Sequence, residues 1–311
     1  MGAHPADQPH RSGFACLVGR PNAGKSTLVN ALVGNKVAIT STKPQTTRHA
    51  IRGIVHRDDG QLVLVDTPGL HRPHTLLGQR LNDVVRTTLA EVDAIGFCLP
   101  ADERTGPGDR FIARELARIS GPPKIAVVTK IDLVSSDQVA ARLSDAARLG
   151  VELDLDWAEI VPVSAVQPHN VDLLADLLLA LLPVGPPLYP AGELTDEPEE
   201  ALVAELVREA ALDGVQDELP HSIAVVVEEM VPRVDRPADR PLLDVHVNLY
   251  VERESQKPIV IGRHGDRLRE VGTRARGQIE RLLGTPVYLD LHVKVAKDWQ
   301  RDPKQLRRLG F

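Results

Sequence analysis

Through the first part of the chain, short unbroken apolar runs alternate with longer stretches whose apolar positions recur every third or fourth residue. Unbroken runs bounded by polar turns predict buried strands, and the wider spacing predicts amphipathic helices. Strands are expected at 14–18, 51–56, 62–65, 93–99, 124–128 and 160–163. Helices are expected at 28–33, from just after Gly78 to about Glu91, at 111–119, 137–149 and 171–182. Asp59-Gly60 between the second and third strands is a hairpin signal, so that pair should run antiparallel. The remaining strands are joined through helices, in connections long enough for a crossover. This predicts an α/β fold, a mostly parallel sheet with helices on both faces.

Between Leu182 and Glu200 the grammar changes to five prolines and an acidic run, which reads as a semi-stiff linker. Beyond it the pattern predicts a helix at 199–212, strands at 222–230 and 243–253, a helical turn at 257–261, a helix at 266–283 and a strand at 286–294. That α-β-β-α-α-β order makes a smaller α+β domain with helices on one face of a three-stranded sheet. With 311 residues the chain has room for two cores. The expected division is a first domain at 13–183, a linker at 184–200, a second domain at 201–295 and a tail at 296–311. No internal repeat is visible.

Charge sharpens the division. From Lys257 onward 13 Lys and Arg stand against 6 Asp and Glu, a balance of +7, which leaves −13 for the rest of a chain whose formal charge is −6. The basic end points to an anionic partner that the average would hide. The two cysteines, Cys16 and Cys98, each lie in an apolar run and read as buried thiols of a reducing compartment, not a disulfide. Residues 1–12 carry no apolar signal-peptide core, and no stretch approaches the roughly 20 apolar residues that span a bilayer. A cytoplasmic protein is expected. The eleven histidines are scattered, with no metal-ligand spacing.

The stretch with the most chemistry is Gly19-Arg20-Pro21-Asn22-Ala23-Gly24-Lys25-Ser26-Thr27, which fits the phosphate-cradling pattern G-x-x-x-x-G-K-[ST] between a strand and a helix. Its glycines let the backbone wrap phosphate oxygens where a Cβ would object. Successive N–H groups and the helix N-terminus then face the anion. Lys25 is expected at the β- and γ-phosphates and Ser26 on Mg²⁺. Asp66, closing a strand before Thr67-Pro68-Gly69, would hold the same Mg²⁺, with the Gly69 N–H at the γ-phosphate. The loop carrying Thr46 and Thr47 and the segment after Asp66 would be released when the γ-phosphate is lost. Asp132 selects the base, because a carboxylate accepts from both N1–H and the N2 amine of guanine, a donor pair that adenine lacks. Lys130 would lay its stem on the base plane, and Ser164-Ala165 would offer a backbone N–H to O6.

Taken together, Gly19–Thr27, Gln45–His49, Asp66–Gly69, Thr129–Asp132 and Ser164–Val166 resemble the five ordered motifs of translation-factor-class GTPases. Gln45-Thr46-Thr47-Arg48-His49 and Asp66-Thr67-Pro68-Gly69-Leu70-His71 are similar to the Era family, whose second half is a type II KH domain. The resemblance spans nearly the whole chain after the first dozen residues. It implies a P-loop GTPase that binds GTP and GDP with Mg²⁺, the metal held by Ser26, Thr47 (Thr46 being the alternative) and Asp66. Hydrolysis would rest on Lys25, Asn22, Thr47 and Gly69. Two departures stand out. Ras-like enzymes position the attacking water with a Gln where this chain has Leu70, so the resemblance implies slow turnover helped by a K⁺ that Asn22 holds. The base-reading motif usually opens with Asn and here opens with Thr129, which should lower nucleotide affinity.

In the second domain, Gly262-Arg263-His264-Gly265 sits between an apolar turn and a long helix. KH domains use such a loop to clamp the backbone of about four nucleotides. Arg267 and its helix neighbours Arg269, Arg274, Arg276 and Arg281 add charge, and Lys294, Lys297, Arg307 and Arg308 extend it. Trp299 would either stack on a base or pack into the domain. The resemblance implies binding to the 3′ end of 16S rRNA and a role in assembling the 30S ribosomal subunit, with no obligate protein partner. Peripheral contact with the inner face of the cell membrane stays open, although no basic amphipathic helix or lipidation motif supports it. Rival readings are weaker. An ATP-dependent kinase conflicts with Asp132, and a GTPase of transfer-RNA modification would lack the second domain and end in a cysteine motif absent here.

Overall fold

The computed structural model describes residues 9–41, 46–70, 75–213, 222–234, 236–237 and 240–311. Gln45 and His71 of the motifs above lie outside them. The chain divides into two compact units. Among the described residues the first takes those up to 38, 47–70 and 81–196, and the second takes 39–41 with 46, 75–80 and those from 197 onward.

The first unit is built on β1 (Arg11–Val18), β2 (Ile51–Arg57), β3 (Gly60–Asp66), β4 (Ala94–Pro100), β5 (Lys124–Thr129) and β6 (Trp157–Pro162). Their order is β2-β3-β1-β4-β5-β6, with only β2 antiparallel to its neighbour. The inner strands are apolar throughout because both faces are covered. Leu17, Leu64 and Ile125 pack with Leu28, Leu174 and Leu178 on one side. Val18, Phe97 and Val128 pack with Ile112, Leu116 and Leu149 on the other. The helices are α1 (Lys25–Val33), α2 (Leu76–Glu91, in this unit from Leu81), α3 (Pro107–Ala117), α4 (Ser136–Leu153) and α5 (Val171–Ala180). The hairpin glycine serves close approach as well as the turn, since a Cβ on Gly60 would lie 2.4 Å from the Arg11 carbonyl.

Two differences from the expected pattern have local causes. Helix α3 begins four residues earlier than its apolar spacing suggests, because Pro107 takes the first helical position and the Asp109 carboxylate accepts the Gly106 N–H at 2.8 Å. The proline-rich stretch after 183 is held on the first unit as far as Asp196. There the buried Gln61 side chain accepts from the Leu188 and Tyr189 N–H groups and donates to the Tyr189 carbonyl. The Ile54 N–H of edge strand β2 donates to Leu194, so the stretch covers a strand edge that would otherwise be open to pairing.

The second unit contains α6 (Glu199–Leu212), β7 (Ala224–Pro232), β8 (Leu243–Val251), α7 (Lys257–Ile261), α8 (Asp266–Leu283), β9 (Val287–Val295) and α9 (Pro303–Arg308). Central β8 is antiparallel to β7 and parallel to β9. Alternate residues Val245, Val247, Leu249 and Val251 of β8 meet Val271, Ala275 and Ile279, one stripe of α8, and Val207 of α6. This is the α-β-β-α-α-β order read from the sequence. Helix α9 is an addition to it, capped by Asp302, which accepts from the Lys304 N–H at 2.8 Å. Trp299 is fully buried, donates to the Ser222 carbonyl and stacks on Phe311, so of its two anticipated roles it takes the packing one. Two described residues of the 39–46 segment are bonded to α6. Thr40 donates to Glu209, and the Thr46 carbonyl accepts from the buried Arg208. Among the described residues no helix is long and apolar enough to cross a membrane.

Candidate functional site

The loop from β1 to α1 is shaped by close approach and by left-handed backbone. A Cβ on Gly19 would come within 2.8 Å of the Cys98 carbonyl. Asn22 (φ 63) and Gly24 (φ 86) are both left-handed, the alternation that turns successive N–H groups into one concavity suited to an anion. Lys25 opens α1, is buried, and donates from Nζ to the carbonyls of Gly19 (3.3 Å) and Arg20 (3.0 Å). Burial holds its pKa below the usual lysine value, with the charge of Asp66 pulling the other way. Cys98 lies beside this lysine, yet burial pushes its thiol up to about 12. Both cysteines are free and buried.

Three oxygens converge at the start of α1. Ser26 Oγ donates to Asp66 Oδ2 at 2.7 Å and lies 3.0 Å from Thr47 Oγ1, which donates to the same Asp66 oxygen at 3.0 Å. An octahedral Mg²⁺ with bonds of about 2.1 Å sets neighbouring ligands about 3 Å apart, so this triangle has the size and hard-oxygen chemistry of one octahedral face. The hydroxyl that reaches it is that of Thr47; Thr46 belongs to the second unit. Thr67 turns its hydroxyl inward, donating to the Leu17 carbonyl at 2.8 Å, and Pro68 is buried behind it. Gly69 lies against Pro21, where a Cβ would meet the proline nitrogen at 2.7 Å. Leu70 donates its N–H to the Gly19 carbonyl and buries its side chain in the core, so it cannot orient water.

At the far end of the sheet, Thr129 donates to the Ala23 carbonyl at 2.8 Å, both residues being buried. The tether between base loop and phosphate loop is therefore present with threonine in place of asparagine. Lys130 adopts a left-handed conformation (φ 58), and its ammonium meets Asp102 at 3.2 Å. Ser164 contributes more than backbone. Its hydroxyl donates to Asp132 Oδ1 at 2.6 Å while its N–H and carbonyl pair with His169, which aims the carboxylate beside Ala165. Sequence reasoning misses Asp102 and the Ser164 hydroxyl. Asp102 follows β4, and a polar residue at the carboxyl end of a parallel strand is the signal that could have found it. Gly19, Asn22–Thr27, Thr47, Asp66–Gly69, Thr129, Lys130, Asp132, Ser164 and Ala165 all fall in the first unit.

In the second unit, Gly262 (φ 77), His264 (φ 50) and Gly265 (φ 80) all have positive φ, and Arg263 and His264 lie at the surface. Gly262 has no substitute, because a Cβ there would lie 2.7 Å from Arg267 Cβ as well as forcing φ. Arg267 itself donates to the Asp213 (2.8 Å) and Ala211 (3.3 Å) carbonyls, capping the end of α6. Along α8, Arg269 pairs with Asp266, and Arg274 pairs with Glu270 and Asp213, whereas Arg276 and Arg281 face outward with no ion pair among the described residues. Exposed charge thus lies at the tight loop and the far turns of α8, and Lys294, Lys297, Arg307 and Arg308 are exposed as well.

Comparison with known proteins agrees with this geometry. A family model described as 50S ribosome-binding GTPase matches residues 14–130, and one described as KH domain matches residues 218–300. The chain is similar to GTPase Era of Streptomyces coelicolor, 73% identical over 99% of this chain and 97% of that protein. It is similar to GTPase Era of a Nocardioides species, 70% identical over 97% and 96%. Among solved structures it is similar to a point variant of Aquifex aeolicus Era bound to GDP·AlF4⁻, with a TM-score of 0.90, 38% identity, and 96% of this chain and 99% of that one covered. It is likewise similar to Era in complex with MgGDPNP and nucleotides 1506–1542 of 16S ribosomal RNA, with a TM-score of 0.91, 38% identity, and 97% and 99% covered.

Proposed function

The chain belongs to the Era family of GTPases, and on that premise we propose that GTP hydrolysis in its first unit governs the hold of its KH domain on the 3′ end of 16S rRNA, in assembly of the 30S subunit. It is a GTPase, a P-loop domain followed by a KH domain. The observation that carries the RNA reading is the surface Arg263-His264 pair between two glycines of positive φ, in a chain similar over 97% of its length to a structure holding both a GTP analogue and a 16S rRNA fragment. Such a loop lets a phosphate approach the backbone while Arg263 supplies charge. We assign this work to the cytoplasm, where ribosomal subunits are assembled.

In the first unit, the N–H groups of Gly24–Thr27 and the Lys25 ammonium hold the phosphates, and the Gly69 N–H meets the γ-phosphate against Pro21. Asp132, aimed by Ser164, accepts from guanine N1–H and N2, while Lys130 covers the base plane. Ser26, Thr47 and Asp66 hold Mg²⁺, which when bound neutralises charge on the β- and γ-phosphates. Asn22, exposed and left-handed at the mouth of the loop, supplies an oxygen to K⁺, which would bring positive charge where Ras-like partners insert an arginine. With Leu70 in the core where Ras-like enzymes have a water-positioning Gln, turnover is slow.

Fluorescence anisotropy with a labelled oligonucleotide of the 16S 3′ end tests the reading in GTP analogue, GDP and no nucleotide. Affinity is expected to depend on nucleotide and to be lost in the Gly262→Asp/Gly265→Asp double variant. Unchanged binding by that variant would remove the clamp assignment. Hydrolysis rates in KCl and NaCl, for wild type and Asn22→Ala, decide the K⁺ part.

A further inference from the structure

Arg20 is the one arginine in the phosphate loop, and sequence alone would let it reach for phosphate. The structure commits it elsewhere. Its Nε donates to Asp109 Oδ1 at 2.7 Å and its Nη1 to Glu103 Oε2 at 2.9 Å. Asp109 is buried in the first turn of α3, and its other oxygen accepts the Gly106 N–H. Gly108 completes the seat, since a Cβ there would come within 2.8 Å of Arg20 Cδ. One buried carboxylate therefore caps α3 and grips the phosphate loop together.

The grip acts where hydrolysis is sensitive. The Arg20 carbonyl accepts from Lys25 Nζ and from the Ala23 N–H. The next residue, Pro21, is the surface against which Gly69 closes, and Asn22 follows. Shifting Arg20 would move Pro21, and with it the landing place of the Gly69 N–H at the γ-phosphate. The N–H groups from Gly24 onward are fixed by the start of α1, and the base loop by the Thr129 hydroxyl on the Ala23 carbonyl, so neither depends on the Arg20 side chain directly.

We propose that Asp109, acting through Arg20, is a positioning residue for GTP hydrolysis that sets the γ-phosphate side of the phosphate loop without taking part in holding GDP. This rests on the GTPase activity and on the placement of the Gly69 N–H at the γ-phosphate proposed above, and on no assumption about K⁺ or RNA.

The two roles of Asp109 can be separated. In Asp109→Asn the side-chain oxygen still accepts the Gly106 N–H, but the amide presents a donor to Arg20 Nε. Arg20→Gln removes the grip and leaves the cap untouched. Each should lower kcat about ten-fold, with mant-GDP affinity within about two-fold of wild type, because misplacement of a reacting group acts on the chemical step. If both act through one contact, the double variant should be no slower than the worse single one. The proposal is overturned if either variant keeps a kcat within about two-fold of wild type. It is also overturned if kcat and mant-GDP affinity fall together, as a merely structural role would make them, or if the two losses multiply.

Discussion

Replacing Thr129 by valine isolates a single bond at the centre of the site. The two side chains have nearly the same shape, so packing is preserved and the hydroxyl alone is lost. In the native chain that hydroxyl donates to the Ala23 carbonyl at 2.8 Å, with Thr129 4% and Ala23 1% exposed. Removing one partner of a buried pair costs about 1–3 kcal/mol, more than the net worth of the bond, because the other partner loses its donor without regaining water. At about 2 kcal/mol, the middle of that range, the first unit should melt about 4–8 °C lower. The same bond holds the base loop and the phosphate loop in register before a nucleotide spans them. Without it the ligand must align them, and a loss of about 1 kcal/mol in binding, roughly five-fold in Kd, is expected for mant-GDP. Thr129→Ser keeps the hydroxyl and should stay close to wild type in affinity, as should Thr129→Asn if its amide makes the same bond. Differential scanning fluorimetry and mant-GDP titration read both effects. A valine variant indistinguishable from wild type, or a serine variant that falls as far as valine, would refute the reasoning.

Other substitutions test other parts of the site. Gly69→Ala places a Cβ 2.7 Å from the Pro21 nitrogen, so hydrolysis should fall by at least about ten-fold while mant-GDP titration shows near-normal affinity. Asp132→Asn trades an acceptor for a donor; hydrogen bonds to a charged group are worth about 1.5–3 kcal/mol each, so GTP should bind at least about ten-fold more weakly and xanthosine triphosphate, with its 2-oxo group, should gain in competition assays. Cys98, its thiol pushed up to about 12, is neutral throughout the physiological range. With the side chain fully buried as well, its labelling by maleimide in the native protein should be negligible at about pH 7 and become rapid at that pH once the chain is unfolded.

The motifs carry most of the fold and site because each couples a local shape to a chemistry. A strand, a glycine loop and a helix in that order leave few alternatives, and the order of the later helices and strands is plain from their apolar spacing. What sequence leaves hidden depends on long-range partners. Asp102 and the Ser164 hydroxyl look ordinary until β4 and β6, flanking β5, bring them beside Lys130 and Asp132. Thr129 looks like a weakening exchange, and only the distance to Ala23 shows that a shorter side chain still makes the link. Arg267 reads as part of the basic face, whereas its guanidinium caps α6, something no spacing along α8 reveals. The stretch after Pro183 has a linker's composition, yet Gln61, a polar residue in a buried strand, ties it down; that polar residue is the one visible clue.

The phosphate loop is fastened at four places by three kinds of force: Gly19 and Pro21 by packing, against the Cys98 backbone and Gly69, Arg20 by charge, and Ala23 by a hydrogen bond from the Thr129 hydroxyl. A segment so fastened has little backbone freedom left to surrender when a ligand arrives. Binding at this cradle then costs little in backbone ordering, so more of the energy of each phosphate contact is left to appear as affinity.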